Sequence, residues 1–352
     1  MRPLLQAGLS PRSRAFMPMP QSTVQSKRPV VGRFAPSPTG RMHAGNVFAC
    51  LVAWLVAKAQ DGSMVLRIED LDQGRSRQKY ADQVMRDLEM LGLTWDEGPF
   101  YQSTQDSAYQ RAFDQLMERG LVYPCFCTRA DLKAASAPHR GEHHVYGGAC
   151  RNLSPSERIQ RERAIRAQGR PGPSWRLDVE AACRELGRGE SLHLFDQVAG
   201  SVSQNVVADA GDFVIRRADG SFAYQLAVVH DDAAQGVTSV VRGNDLLDSC
   251  CQQILLQRCL GLPEVEYAHV PLICAKTGER LAKRHKAAHL GQLLEFESPE
   301  RIIGHVAALT GLQEEDAPVT PDDLLVMWKP RLTSDPGCLQ RLWNGVDAIT
   351  WA

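Results

Sequence analysis

The stretch "GRFAPSPTGRMHAGN", residues 32–46, decides how the chain is read. It follows on from "PVVGRFA", a short apolar run ending in small residues, as a buried parallel strand does. Pro36, Pro38 and Gly40 then force a loop. Beyond it, "AGNVFACLVAWLVAKAQ" carries apolar residues on most faces and reads as a helix packed on a sheet. "SMVLRIEDLD" is a second strand, so the three segments form a βαβ unit of a parallel sheet. A strand, a tight loop and a helix N-terminus make an anion site, because unpaired N–H groups and the helix dipole face one spot. Neither a GxxxxGKS/T loop nor a GxGxxG is present. What stands there is His43, Gly45 and Asn46. His43 can donate to a phosphate oxygen, and Gly45 lets a nucleotide base approach the backbone. Taken alone, His43 fits a capped turn better than a phosphate site.

Working outward, the composition is that of a globular protein. A chain of 352 residues with 43% hydrophobic and 23% charged content can bury one large or two modest domains. No apolar run is long enough to span a membrane, and none is expected as a partner. The net charge of −1 is uneven: residues 1–30 carry five bases and no acid, and residues 291–352 carry ten acids against four bases. Residues 31–290 are therefore neutral, which removes any whole-molecule electrostatic argument for nucleic-acid binding. The basic, Pro- and Ser-rich residues 1–29 read as a disordered extension, or as an upstream start with Met17 as the alternative; a transit peptide is a further reading. Ten cysteines without a dense framework point to a reducing cytoplasm and free or metal-bound thiols.

Residues 76–120 read as helical periods and short loops. "SPSERIQRERAIRAQG" opens with a capping box, Ser154 to Glu157, has Pro155 at the first helical position and stops at Gly169. Its Arg158, Arg161, Arg163 and Arg166 fit a solvated face better than an RNA surface. Strand-like runs are expected at "SWRLDV", "DFVIRRADGSFAYQLAVVHDD" and "TSVVRGND", a helix from Ser249 to Leu260, and an acidic helical tail beyond about residue 290. The segment from Cys125 to Cys150 is irregular. Cys125, Cys127 and Cys150 supply three of the four ligands zinc prefers, with His143 or His144 as chemically favoured fourth; three buried free thiols fit the same pattern.

The stretch 32–46 resembles the HIGH signature of class I aminoacyl-tRNA synthetases, in the form used by the glutamyl and glutaminyl branch. Four further stretches resemble that branch in the same order: "LRIEDLDQGRS" (66–76), "DFVIRRADGSFAYQLAVVHDD" (212–232), "GVTSVVRGNDLLDS" (236–249) and "TGERLAKRHKA" (277–287). The resemblance spans roughly residues 30–290. It implies an α/β fold: a Rossmann-like catalytic domain (30–290) with a zinc-binding insertion at about 121–152, followed by a short helical segment (291–352) without an anticodon-binding domain.

The chemistry so implied is attack of an amino-acid carboxylate on the α-phosphorus of ATP, with magnesium neutralising the phosphates. His43, Gly45, Asn46 and Lys283 would hold ATP, and His43, Asn46 and Lys283 would serve catalysis. Arg33, Phe34, Ala35, Pro36, Ser37, Glu69, Tyr224 and Arg242 would surround glutamate. The residue types agree, since Arg33 and Arg242 are two forks for two carboxylates and Glu69 is a counter-charge for the ammonium. In the second ATP motif, KMSKS, Lys283 matches the main lysine, while Arg280 and Ala282 depart from the pattern and leave ATP positioning there open. For the metal, the resemblance implies Tyr146 as fourth ligand beside Cys125, Cys127 and Cys150, holding one structural zinc.

Only 68 residues follow Arg284, and that tail is acidic, a poor surface for a phosphate backbone. The chain thus resembles the truncated paralogues of the branch, cytoplasmic and taken as monomeric, which pass activated glutamate to the queuosine base in the anticodon loop of tRNA(Asp). A truncated synthetase charging the tRNA 3′ end, or a non-catalytic tRNA- or amino-acid-binding relative, would share the same motifs.

Overall fold

The computed structural model describes residues 28–128, 131, 145–187, 189–274, 289–335, 337–343 and 345–351. Strand β1 (Val31–Phe34), helix α1 (Ala44–Ala59) and strand β2 (Ser63–Ile68) form the expected βαβ unit, with β1 and β2 parallel in the register Arg33 to Val65. Gly32 permits the close packing of this unit: a Cβ there would stand 2.7 Å from Met64 Sδ and 3.2 Å from Ala57 Cβ. Helix α2 (Gln78–Met90) returns the chain to β3 (Glu97–Tyr101), parallel to β2. That strand lies in a region read as helices and loops. Its first three residues, Glu97, Gly98 and Pro99, are exposed and carry no strand-forming pattern.

After α3 (Asp106–Glu118) the chain leaves the β1-β2-β3 sheet for a longer stretch. It contains β4 (Val122–Cys125), α4 (Pro155–Ala167), β5 (Ser174–Leu177), α5 (Val179–Glu185), the hairpin β6 (Ser191–Asp196) and β7 (Gly200–Asn205), and β8 (Val214–Arg216). Strands β4, β5 and β8 form an antiparallel sheet. The capping box of α4 is present: Ser154 N donates to Glu157 Oε2 at 2.7 Å, and Glu157 N to Ser154 Oγ at 3.3 Å.

The chain then forms α6 (Tyr224–Ala234), β9 (Ser239–Gly243), α7 (Cys250–Leu260), β10 (Glu266–Val270) and β11 (Leu272–Cys274). Residues 212–232 read as strand-like along their length, yet only β8 is extended. The segment Leu226–Val229 is buried on every side, and such a run carries no period that separates strand from helix. The tail comprises α8 (Leu290–Leu293), α9 (Pro299–Thr310), α10 (Pro321–Ser334) and α11 (Cys338–Trp343), and closes with β12 (Ala348–Thr350). This last strand, in a tail read as helical, pairs in parallel with β11.

Two sheets, ordered β1-β2-β3 and β7-β6-β10-β9, meet edge to edge. Thr238 N donates to Val31 O at 2.9 Å, and Val31 N to Thr238 Oγ1 at 2.9 Å. The spatial order is therefore β3-β2-β1-β9-β10-β6, and the direction of winding reverses between β1 and β9. In open α/β sheets the crevice beyond the strand ends at such a reversal is where ligands bind. Helix α1 lies in one apolar core with the tail, where Phe48 meets Trp343 edge-on with ring centroids 5.2 Å apart. Among the described residues, no helix is long and apolar enough to cross a membrane.

Candidate active site

The carboxyl ends of β1 and β9 open into a cavity of about 460 Å³. Arg33, Phe34, Ala35, Pro36 and Ser37 line it from β1 and the following loop. His43, Gly45 and Asn46 line it from the start of α1. Glu69, Tyr224 and Arg242 complete the wall from β2, α6 and β9. Eleven residues singled out in the sequence thus share one cavity, and Lys283 lies outside the described residues. The stretch that contains Lys283 begins after Cys274, at the end of β11, and ends at His289, which forms a β-bridge with His43.

The N-terminus of α1 is set by His43 and Asn46. His43 N donates to Asn46 Oδ1 at 3.2 Å, and Asn46 N to His43 O at 2.8 Å. Gly45 has a nearer role than admitting a nucleotide: a Cβ there would sit 3.2 Å from His43 Cε1 and Nδ1, so its absence makes room for the imidazole. The loop is pinned to β2 and its extension by Glu69 N, which donates to Pro36 O at 3.0 Å. Arg41, inside the loop, reaches Asp87 of α2 at 3.0 Å.

The floor is ionic. Arg33 donates through Nη1 to Val241 O at 2.8 Å, across the junction of the two sheets, and its Nε lies 3.8 Å from Asp232. Arg67, fully buried in β2, touches three carboxylates: Asp232 at 2.8 Å, Glu69 at 3.5 Å and Asp231 at 4.0 Å. Asp231 also accepts from Gln102 and from Tyr109, each at 2.8 Å. Burial pushes the Glu69 carboxyl above its ordinary range, and the charges of Arg67 and Arg33 only partly oppose it. Burial likewise lowers the pKa of Arg33, with Asp232 pulling the other way. Among the described residues, Arg33 Nε, Arg67 Nε and Nη2, and Glu69 Oε1 have no hydrogen-bond partner. Of these residues Arg33 and Glu69 line the cavity, and their charged groups suit a polar, charged ligand.

Arg67, Asp231 and Asp232 were not assigned from the sequence. The signal was there: an arginine inside the apolar run "MVLRI" and paired aspartates closing an apolar helix must find partners inside the fold.

Away from this cavity, Cys125, Cys127 and Cys150 place their Sγ atoms within 4.8 Å of one another. Cys127 Sγ and Cys150 Sγ are 3.7 Å apart, and Tyr146 Oη is 3.4 Å from Cys125 Sγ and 3.7 Å from Cys127 Sγ. Tetrahedral zinc with bonds of about 2.3 Å to sulfur needs ligand atoms about 3.5–3.8 Å apart, and these three separations lie at or close to that range. His143 and His144 lie outside the described residues. The cluster is roofed by the Arg176 guanidinium, 3.9 Å from the Tyr146 ring centroid. Hydrogen bonding from Cys150, and then from Tyr146 and Arg176, holds the Cys125 thiol below its ordinary pKa against burial, while the hydrogen bond with Cys125 and burial push Cys150 up, and burial with these hydrogen bonds pushes Tyr146 up. Of the other cysteines, Cys183, Cys250, Cys251, Cys259 and Cys274 are buried, as core residues.

Known proteins resemble this chain over most of its length. Residues 29–318 match the family described as "tRNA synthetases class I (E and Q), catalytic domain". A "Glutamyl-Q tRNA(Asp) synthetase" of Symbiobacterium thermophilum is 46% identical over 84% of this chain and 90% of its own. The protein of that name from Nitratidesulfovibrio vulgaris is 42% identical over 83% and 90%. Among solved structures, a glutamate tRNA ligase from Elizabethkingia meningosepticum, in complex with its amino acid, superposes with a TM-score of 0.67 at 27% identity. The alignment covers 85% of this chain and 64% of that ligase, so the chain spans less than two thirds of its length. The chain belongs to the class I tRNA synthetases of the E and Q type, in the group of the glutamyl-Q tRNA(Asp) synthetases.

Proposed function

We propose that the protein activates glutamate with ATP, without needing tRNA, and passes it to the queuosine base in the anticodon loop of tRNA(Asp). The observation that carries the activation step is the convergence of Arg33 and Arg242 on one cavity beside the N-terminus of α1. Two guanidiniums and one carboxylate, Glu69, complement a ligand with two carboxylates and one ammonium. The acceptor rests on the relatives' printed name and not on any residue of the cavity.

In the activation step, a glutamate carboxylate oxygen forms a bond to the α-phosphorus of ATP. The bond from that phosphorus to the bridging oxygen breaks, and pyrophosphate leaves with the electron pair. No proton need move, so the protein's work is to hold two anions in line and neutralise them. Arg33 and Arg242 hold carboxylates, and Glu69 and Tyr224 orient the ammonium end. His43, Asn46 and the first N–H groups of α1 face the phosphates, with Lys283 supplying charge from the second loop and magnesium entering with ATP. In the second step a queuosine ring hydroxyl oxygen bonds to the glutamyl carbonyl carbon, the bond from that carbon to the AMP oxygen breaks, and AMP leaves with the electron pair while the hydroxyl proton passes to the AMP phosphate or to water.

The Cys125, Cys127, Cys150 and Tyr146 set would hold one structural zinc, whose chemistry is to cross-link β4 to the loop before α4. Residues 30–290 would carry catalysis and 291–352 would support it. ATP–pyrophosphate exchange tests the reading: exchange that depends on glutamate and not on RNA supports it. Exchange that requires tRNA points to a synthetase charging the 3′ end, and no exchange under either condition leaves a binding protein.

A further inference from the structure

We infer that Asp196 and His269 are positioning residues for Arg242, forming a fixed hydrogen-bond relay that aims one edge of its guanidinium into the glutamate cavity. The inference rests on the glutamate reading for its purpose, but not for its geometry.

The three residues come from three neighbouring strands, β6, β10 and β9. The register pairs His269 directly with Arg242, and Tyr267, two residues before, with Asp196. Arg242 Nε donates to His269 Nε2 at 2.9 Å, and His269 Nδ1 lies 2.6 Å from Asp196 Oδ2. The side chains of Asp196 and His269 are fully buried. Arginine carries donors only, so His269 Nε2 must be the acceptor. The ring is therefore neutral, with its proton on Nδ1, and that proton is given to Asp196. Asp196 is itself fixed, because its Oδ1 accepts backbone N–H groups of Val198, Ala199 and His269 at 2.9, 2.8 and 3.1 Å.

The rest of the guanidinium is tied just as closely. Nη2 donates to Leu246 O at 3.3 Å and to Cys250 Sγ at 3.2 Å. That leaves Nη1 at the cavity edge, 3.4 Å from Tyr224 Oη. Tyr267 closes the arrangement, stacked on His269 and lying under Arg242, whose Cζ is 5.3 Å from its ring centroid. An arginine so held loses little freedom when it binds a carboxylate, which is what pre-organisation contributes to affinity. Burial, with the Arg242 charge, keeps the His269 pKa below its ordinary value although Asp196 opposes this, so the acceptor nitrogen stays unprotonated.

Two measurements test the relay. The first is the nitrogen-15 NMR signature of the His269 imidazole in the intact protein. An Nδ1-protonated, Nε2-bare ring is expected, and an Nε2-protonated or doubly protonated ring overturns the proposal whatever the protein does. The second is pyrophosphate exchange by two variants. His269→Gln can place an amide oxygen where Nε2 stood, and His269→Leu cannot. The glutamate KM of His269→Leu is expected to rise about ten- to a hundredfold. Its ATP KM should move little, and His269→Gln should recover most of the loss. Equal effects of the two variants, or parallel changes in both KM values, mean a merely structural role and overturn it. If His269→Leu does not fold, the His269→Gln kinetics and the NMR result decide. Wild-type protein without glutamate-dependent exchange defeats the glutamate reading instead, and the NMR result still decides the relay.

Discussion

Arg33 shows how much of the site depends on single atoms. Its Nη1 is spent on Val241 O and its Nε faces Asp232, so only the remaining edge can meet a carboxylate. Lysine at this position keeps the charge but not the fork. Arg33→Lys should therefore raise the glutamate KM about tenfold or more, since hydrogen bonds to charged groups contribute about 1.5–3 kcal/mol, while leaving the ATP KM nearly unchanged. Steady-state kinetics with each substrate varied in turn would check this. Glu69 adds a pH dependence. Its pKa is raised by burial, so it takes up a proton at a higher pH than an ordinary glutamate at about 4.3. Protonated, it no longer opposes the substrate ammonium. On acidification the glutamate KM should begin to rise above the ordinary glutamate pKa of about 4.3, with the ATP KM lagging. A glutamate KM flat down to pH about 4.5 would contradict the assignment of Glu69.

At the scale of elements, the βαβ unit was legible because its parts have distinct signatures. "PVVGRFA" is a short buried run, Pro36, Pro38 and Gly40 break it, and α1 is too long for a strand. The capping box at Ser154 was equally legible, as a local hydrogen-bond pattern written in four residues. What escaped was anything specified by neighbours distant in the chain. Strand β3 is held by β2 rather than by its own residues, and α6 hides in a uniformly apolar run. The Asp196–His269–Arg242 chain joins residues 73 and 27 positions apart and has no linear pattern at all. The cysteine cluster lies between these cases: CxC was visible in the residues themselves, while Tyr146 entered through the family resemblance and stands 3.4 and 3.7 Å from the two thiols. The proposed zinc gives an element-scale prediction. Purified protein should carry about one zinc per chain, and Cys150→Ser should lose most of it and destabilise the β4–α4 region. Elemental analysis with hydrogen exchange would read both, and full-occupancy metal in the variant would refute the ligand set.

For the whole molecule, the tail shares one apolar core with helix α1 and the strands beside it. Trp343 touches Phe48 of α1 and donates from Nε1 to Thr310 O at 2.8 Å, while Trp328 Nε1 donates to Leu312 O at 2.7 Å. β12 then returns to β11, and Trp351 N donates to Cys274 O at 2.7 Å, at the last described residue before His289. Trp343→Ala should cost about 3–5 kcal/mol and lower the single melting transition, because the cavity opens in the core that supports α1. Two separated transitions in calorimetry would mean that the tail folds apart from the sheet. Residues 291–352 carry ten acids against four bases, which makes them a poor docking surface for a phosphate backbone.

The central claim concerns where the glutamate goes. The most direct measurement is transfer of labelled glutamate, in the presence of ATP, to two preparations of tRNA(Asp) that differ only in whether queuosine is present. The account predicts label on the queuosine-containing RNA alone, located in the anticodon stem-loop after nuclease cleavage. Label on the 3′-terminal adenosine of either RNA, or none on the queuosine-containing one while pyrophosphate exchange proceeds, would contradict it.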